Sequence, residues 1–244
     1  MSLTESTILN FKISKRYKDI FDLYIHRGEP TPFSLGTLVV FAFCFLILIV
    51  ATFNQFNFSH PWFIYIKDVG LDYHLKTVAY TPQIPVMLFI IYILGKNYSV
   101  ALFGLYLIVG FFIWPVFAFG GGLGYAQNYL FGYFLGFIFA ILITGSMLNK
   151  SLDIKTRILS ALAGVGAIHL TGLLYCILLA IFQIIDFGLI APIVRILTGE
   201  KILYDIIFSI LIFLIAPYIK NVFWVCMKPK ADNPKISKKY RHKK

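Results

Sequence analysis

Apolar residues in this chain fall in long blocks separated by short polar or basic stretches, without the alternation of a half-buried strand or the narrow stripe of a soluble helix. A helix needs about 20 mostly apolar residues to cross a bilayer. The first block that long is 33–53. The second, 77–95, carries Pro82 and Pro85 near its start and stops at Lys96. No charged residue occurs from 97 to 149, a stretch too long for one helix. Gly120-Gly121-Gly122 divides it into spans over 98–118 and 129–148. A fifth span is expected over 158–185 and a sixth over 201–225, with Pro217 inside it. The pattern predicts an all-α integral membrane protein with six transmembrane helices.

Composition removes the competing classes. Of the 244 residues, 59% are apolar and only 14% charged, and the mean hydropathy is +0.81. A soluble domain carries about 25% charged residues. A soluble enzyme, a nucleic-acid-binding domain, a coiled coil and a disordered chain are excluded for the bulk of the sequence. The formal net charge is +11, and the basic residues are unevenly placed. Lys12, Lys15, Arg16, Lys18 and Arg27 precede the first span, Lys96 follows the second, Lys150, Lys155 and Arg157 follow the fourth, and nine lie from Lys220 to Lys244. The other side has only Lys67, Lys76, Arg195 and Lys201. The positive-inside rule puts both termini in the cytoplasm. The domain reading is a basic, amphipathic segment over 1–32, a membrane domain over 33–227 and a basic tail over 228–244. No cleavage site follows the first apolar run, so 33–53 is expected to remain as a helix. Trp62, Trp114 and Trp224 fall near the predicted interfaces.

Candidate chemistry gathers on the side opposite the termini, in three outer connections over 54–76, 119–128 and 183–200. The middle one contains Phe119, Gly120, Gly121, Gly122, Gly124, Tyr125 and Asn128. Glycines let a backbone turn sharply and approach a guest. Such a loop either cradles a small polar ligand or is a plain hairpin. Gln83, between the two prolines, either reads an amide or ureide or simply sits in an ordinary helix entry. His169, inside span five, is a relay or ligand residue or a satisfied core histidine. Lys201 and Asp205, four apart on one helix face, either pair with each other or hold a ligand's carboxylate and N–H groups. Arg195 and Glu200 lie nearby. Gly132 and Gly136 in span four, and Ser160, Ala163, Gly164, Ala167 and Thr171 in span five, suit close helix packing. Cys44, Cys176 and Cys226 sit in or beside apolar runs and give no disulfide framework. Phosphate-binding glycine–lysine loops, zinc motifs and nucleophile elbows are absent from the sequence. The chain therefore carries no ATPase of its own.

A resemblance sharpens this. Thr81-Pro82-Gln83-Ile84-Pro85-Val86-Met87-Leu88 precedes Trp114-Pro115-Val116-Phe117-Ala118-Phe119-Gly120-Gly121-Gly122 and Phe131-Gly132-Tyr133-Phe134-Leu135-Gly136-Phe137. This succession resembles the BioY family, the substrate-binding S components of energy-coupling-factor biotin transporters. His169-Leu170-x-Gly172-Leu173-x-Tyr175 is similar to one style of that family. The resemblance implies a binding and transport subunit rather than an enzyme, a multi-pass protein of the cell membrane that takes biotin from the outer face, with no further cofactor. It also implies a transmembrane coupling protein and two ATP-hydrolysing subunits as partners. The implied pocket has Phe119, Tyr125 and Tyr133 as walls, and Gln83, Asn128 and the backbone of Gly120, Gly121, Gly122 and Gly124 on the ureide. Lys201 or Arg195 would meet the carboxylate, and Glu200 or Asp205 the N–H groups. Three departures stand out. Many relatives carry Gly-Asp-x-x-Lys entering span six; here Glu200 falls at the Asp and Leu203 at the Lys, which makes Lys201 the substitute. Span one lacks a tight alanine stripe, and the 54–76 connection is long for the family. The alternatives are an S component for another small vitamin or cofactor precursor and a non-transporting membrane assembly protein.

Overall fold

The computed structural model describes residues 33–66, 70–118 and 120–227. The basic segment expected over 1–32, the tail over 228–244 and Phe119 lie outside the described residues. Five helical stretches among the described residues are long and apolar enough to cross a membrane. Large apolar side chains such as Leu46, Val50, Leu174, Leu211 and Ile215 are exposed around the bundle, as a lipid-facing surface requires.

Helix α1 is Leu35–Phe53. Ser34 caps it, accepting from the Thr37 backbone N–H at 3.1 Å, and its hydroxyl donates to the Met227 carbonyl at 2.8 Å. One contact thus caps the start of α1 and joins it to the last turn of the final helix.

The connection expected as a loop is instead a two-stranded antiparallel hairpin, β1 Phe56–Ile66 and β2 Gly70–Tyr80. The all-helical expectation is corrected accordingly, as is the helix start at 77. The register pairs Phe56 with Tyr80 and Phe58 with Val78, which puts these side chains on one face. Phe58 stacks on Tyr204 with centroids 5.1 Å apart, and Tyr80 on Phe208 at 5.4 Å. The root of the hairpin is therefore anchored on the last helix.

Helix α2, Gln83–Ile108, begins after Pro82, where the missing N–H costs nothing. It breaks at Gly95, whose φ of 77° and ψ of 173° are non-helical. The Gln83 Nε2 lies 3.3 Å from Tyr106 Oη, although 23 residues separate them. A straight helix would hold them about 35 Å apart at 1.5 Å per residue. The chain therefore doubles back at Gly95, and the two limbs lie side by side. This is the division the sequence predicted at Lys96. The second limb ends in a wider turn, Val109–Ile113, before Pro115.

Helices α3, Leu130–Lys150, and α4, Ile154–Ile181, form the most extensive helix pair. Asp153 caps α4 through the Thr156 N–H and hydroxyl. Hydrogen bonds from Ser151 and Thr156 hold its carboxyl well below the usual carboxylate range. After a 3-10 turn, Phe187–Leu189, come the short α5, Ile190–Val194, a wide turn, Arg195–Gly199, and the long α6, Ile202–Met227.

Pro217 inside α6 cannot donate to the carbonyl four residues back, that of Phe213. Arg157 Nη1 donates to this oxygen at 3.1 Å. Arg157→Ala is expected to lower stability by about 1–3 kcal/mol, the cost of a buried unsatisfied acceptor. Adding Pro217→Ala restores a helix N–H and should recover most of the loss. Thermal unfolding in detergent checks both variants; a double variant no more stable than Arg157→Ala would reject the pairing.

Candidate ligand-binding site

A cavity of about 670 Å³ opens at the end of the bundle away from Ser34 and Met227. Its volume lies in the range of roughly 300–1,000 Å³ typical of small-molecule sites. Thr52 and Phe53 at the end of α1, Thr77, Val78 and Ala79 of β2, and Gln83 at the start of α2 make one wall. Tyr125, Tyr129, Leu130, Tyr133, Phe134 and Phe137 make an aromatic wall. His169, Glu200, Lys201 and Asp205 make an ionic one.

Each wall has a local cause. Leu130, Tyr133, Phe134 and Phe137 are spaced three and four apart, so α3 presents them on one face. Tyr125 rides on a 3-10 turn, Leu123–Gln127, and stacks on Phe134 at 5.6 Å. Its hydroxyl is buried and has no hydrogen-bond partner among the described residues. Burial pushes this phenol far above its usual range, so it remains a donor. Gln83 donates from Nε2 to Thr52 Oγ1 at 3.0 Å. Its nitrogen is thereby fixed on the protein, which leaves the amide oxygen as the end for a guest.

The ionic wall departs from the helix-face pairing that the sequence allowed. Asp205 is 2% exposed and pairs with His169, Nε2 to Oδ2 at 3.1 Å, rather than with Lys201. Tyr80 donates to the other oxygen of Asp205 at 2.9 Å. His169 Nδ1 meets Thr198 Oγ1 at 3.1 Å, which in turn meets Tyr133 Oη at 2.9 Å. Lys201 lies on the wall, and among the described residues it closes no ion pair.

Seven of the residues singled out in the sequence line this cavity: Gln83, Tyr125, Tyr133, His169, Glu200, Lys201 and Asp205. Of the others, Phe119 lies outside the described residues, and the rest are not on its walls. Asn128 Oδ1 accepts from the Leu130 N–H at 2.9 Å and shapes the entry to α3. Arg195 is exposed and does not line the cavity.

Gly120, Gly121, Gly122 and Gly124 are not on its walls either, and their hydrogen bonds give the physical reason. The Gly120 N–H donates to Phe117 O at 3.1 Å, and the Gly122 N–H to Gly110 O at 2.9 Å. Gly110 O is available because the wide turn sends the Trp114 N–H to Val109, and Pro115 has no N–H to offer. The glycines, with φ of 124° at Gly120 and 83° at Gly122, make a turn that closes on this carbonyl. The loop delivers Ala118 and Tyr125 to the cavity instead of its own backbone.

The sequence reading missed Thr52, Gln55, Thr77, Tyr129, Phe134 and Phe137 as lining residues. The spacing of Phe134 and Phe137 from Tyr133 was a usable signal. Thr77 had none, because the strand that carries it was unseen.

The comparisons with known proteins follow this geometry. Residues 66–224 match the model of the BioY family. The structure resembles the crystal structure of an S-component for biotin from an ECF-type ABC transporter, with a TM-score of 0.54 and 21% identity. That alignment covers 75% of this chain and 90% of the other, and it speaks for the fold. No curated protein matches the chain. Since the family model spans well over half of the sequence, this chain belongs to the BioY family.

Proposed function

We propose that this chain is the substrate-binding membrane subunit for biotin uptake, capturing biotin at the outer face. A transmembrane coupling protein and two ATP-hydrolysing subunits would then move it inward. Family membership and the likeness to a biotin S-component support this reading. We further propose six membrane passes with both termini in the cytoplasm. The reversal at Gly95 and the basic residues on the terminal side support that orientation.

The observation that carries the proposal is the cavity itself, with its buried, unpartnered Tyr125 hydroxyl. A buried polar atom without a partner costs about 1–3 kcal/mol, which a hydrogen bond from a guest removes. Biotin has an apolar fused ring, a ureide and a carboxylate tail. The aromatic wall suits the ring, the Tyr125 hydroxyl suits the ureide carbonyl, and Lys201 suits the tail. Titration calorimetry of the purified protein should give saturable binding of biotin. Tyr125→Phe should bind about 5- to 10-fold more weakly, the share of one neutral hydrogen bond. A panel with lipoate and a thiamine-like molecule separates biotin from other vitamins. Absence of heat and of thermal shift with biotin would reject the assignment.

A further inference from the structure

Asp205 is a buried acidic side chain on the wall of the cavity, in a helix apolar enough to cross a membrane, and such groups persist only with partners. Its partners come from three directions. His169 of α4 reaches Oδ2 at 3.1 Å, and Tyr80 of β2 donates to Oδ1 at 2.9 Å. Lys201 and Glu200 face the same space from the turn that leads into α6. Each carboxylate oxygen has two lone pairs and one protein donor. One acceptor position on each oxygen is left over, and the residue lines the cavity.

We propose that His169 is a positioning residue that holds Asp205 as an oriented carboxylate, so that the cavity presents a two-oxygen acceptor to paired N–H groups of the guest. The inference rests on the biotin reading, in which the ureide supplies two such N–H groups. The direction of the bonds is consistent throughout. Asp205 as a carboxylate accepts only, so His169 donates from Nε2. Its Nδ1 then accepts from the Thr198 hydroxyl at 3.1 Å, and Thr198 accepts from Tyr133 at 2.9 Å. Four hydroxyl or imidazole donors, drawn from β2, α3, α4 and the turn before α6, thus orient one acceptor. The sequence separation of 36 residues between His169 and Asp205 means that only the folded bundle assembles it. Tyr80 extends the arrangement to the root of the hairpin, whose residues Thr77, Val78 and Ala79 also line the cavity.

The test uses the purified, full-length protein and four variants, with calorimetry. His169→Leu should bind biotin about 10- to 100-fold more weakly, the range for losing an oriented buried hydrogen-bonding group. His169→Gln, whose amide nitrogen reaches the position of Nε2, should stay within about 3-fold of the parent, since it keeps the one donor that matters. Asp205→Asn should lose as much as His169→Leu, and the double variant no more than either single one, because the two act as a unit. Discrimination against an N-methylated ureide analogue of biotin should fall in His169→Leu, which a role in folding alone would not change. Unchanged biotin affinity and selectivity in His169→Leu would overturn the proposal, as would a His169→Gln variant that loses as much as His169→Leu. A parent that binds no biotin overturns the biotin reading, whereas a parent that binds it while the His169 variants bind it equally well overturns this one alone.

Discussion

Gly136→Leu is expected to leave no folded bundle. A Cβ at position 136 would sit 2.6 Å from Ile168 Cα and 2.9 Å from Ile168 O. Both are backbone atoms of α4, so no rotamer change relieves the overlap. Helices in a bilayer associate through packing rather than through a hydrophobic drive, so a forced gap is not refilled at no cost. Gly136→Ala alone should cost at least about 1–3 kcal/mol, the usual penalty of overpacking. Leucine adds three more carbons to the same seam. Gly166→Ala serves as the control, because nothing lies within 4 Å of its Cβ position on α4. Size-exclusion profiles and melting curves in detergent provide the measure. A Gly136→Leu protein that elutes and melts like the parent would refute the tight seam.

That seam was legible in the sequence, because Gly132 and Gly136 recur at helical spacing and the rule for small residues in membrane helices is local. The apolar blocks were legible for the same reason. The reversal at Gly95 was foreshadowed by Lys96, which no helix would carry through the middle of a bilayer. The hairpin was not legible. Its first strand, with Asn57, Ser59, His60 and Pro61 among aromatics, has the composition of a loop. Only the docking of Phe58 and Tyr80 on Tyr204 and Phe208, more than a hundred residues away, makes it a packed element.

The site was half legible. Spacing within one helix suggests Lys201 as the partner of Asp205, yet His169 of another helix takes that place. The glycine loop was ambiguous for a related reason. A sequence shows that backbone donors have been freed to turn, but not where they end. Here one ends on the Gly110 carbonyl, which Pro115 cannot serve. In both cases the deciding partner lies beyond the reach of local pattern.

Because His169 occupies Asp205, Lys201 is left as the cation that lines the cavity, and this fixes the second large expectation. Lys201→Ala should weaken biotin binding about 100-fold, or about 2.7 kcal/mol, within the range for removing one partner of a desolvated charge pair. The loss should be confined to ligands with a carboxylate. Biotin amide, which carries the same ring and ureide, should bind the parent and Lys201→Ala almost equally. Lys201→Arg should recover part of the affinity, since the charge returns with a different shape. Arg195→Ala should leave binding unchanged, because this exposed residue does not line the cavity. The two cations were interchangeable in the sequence, and the geometry separates them. If the amide loses as much as the acid in Lys201→Ala, the side chain acts by packing and not by charge. If Arg195→Ala is the variant that loses biotin, the carboxylate end of the site lies on the opposite side of the turn before α6.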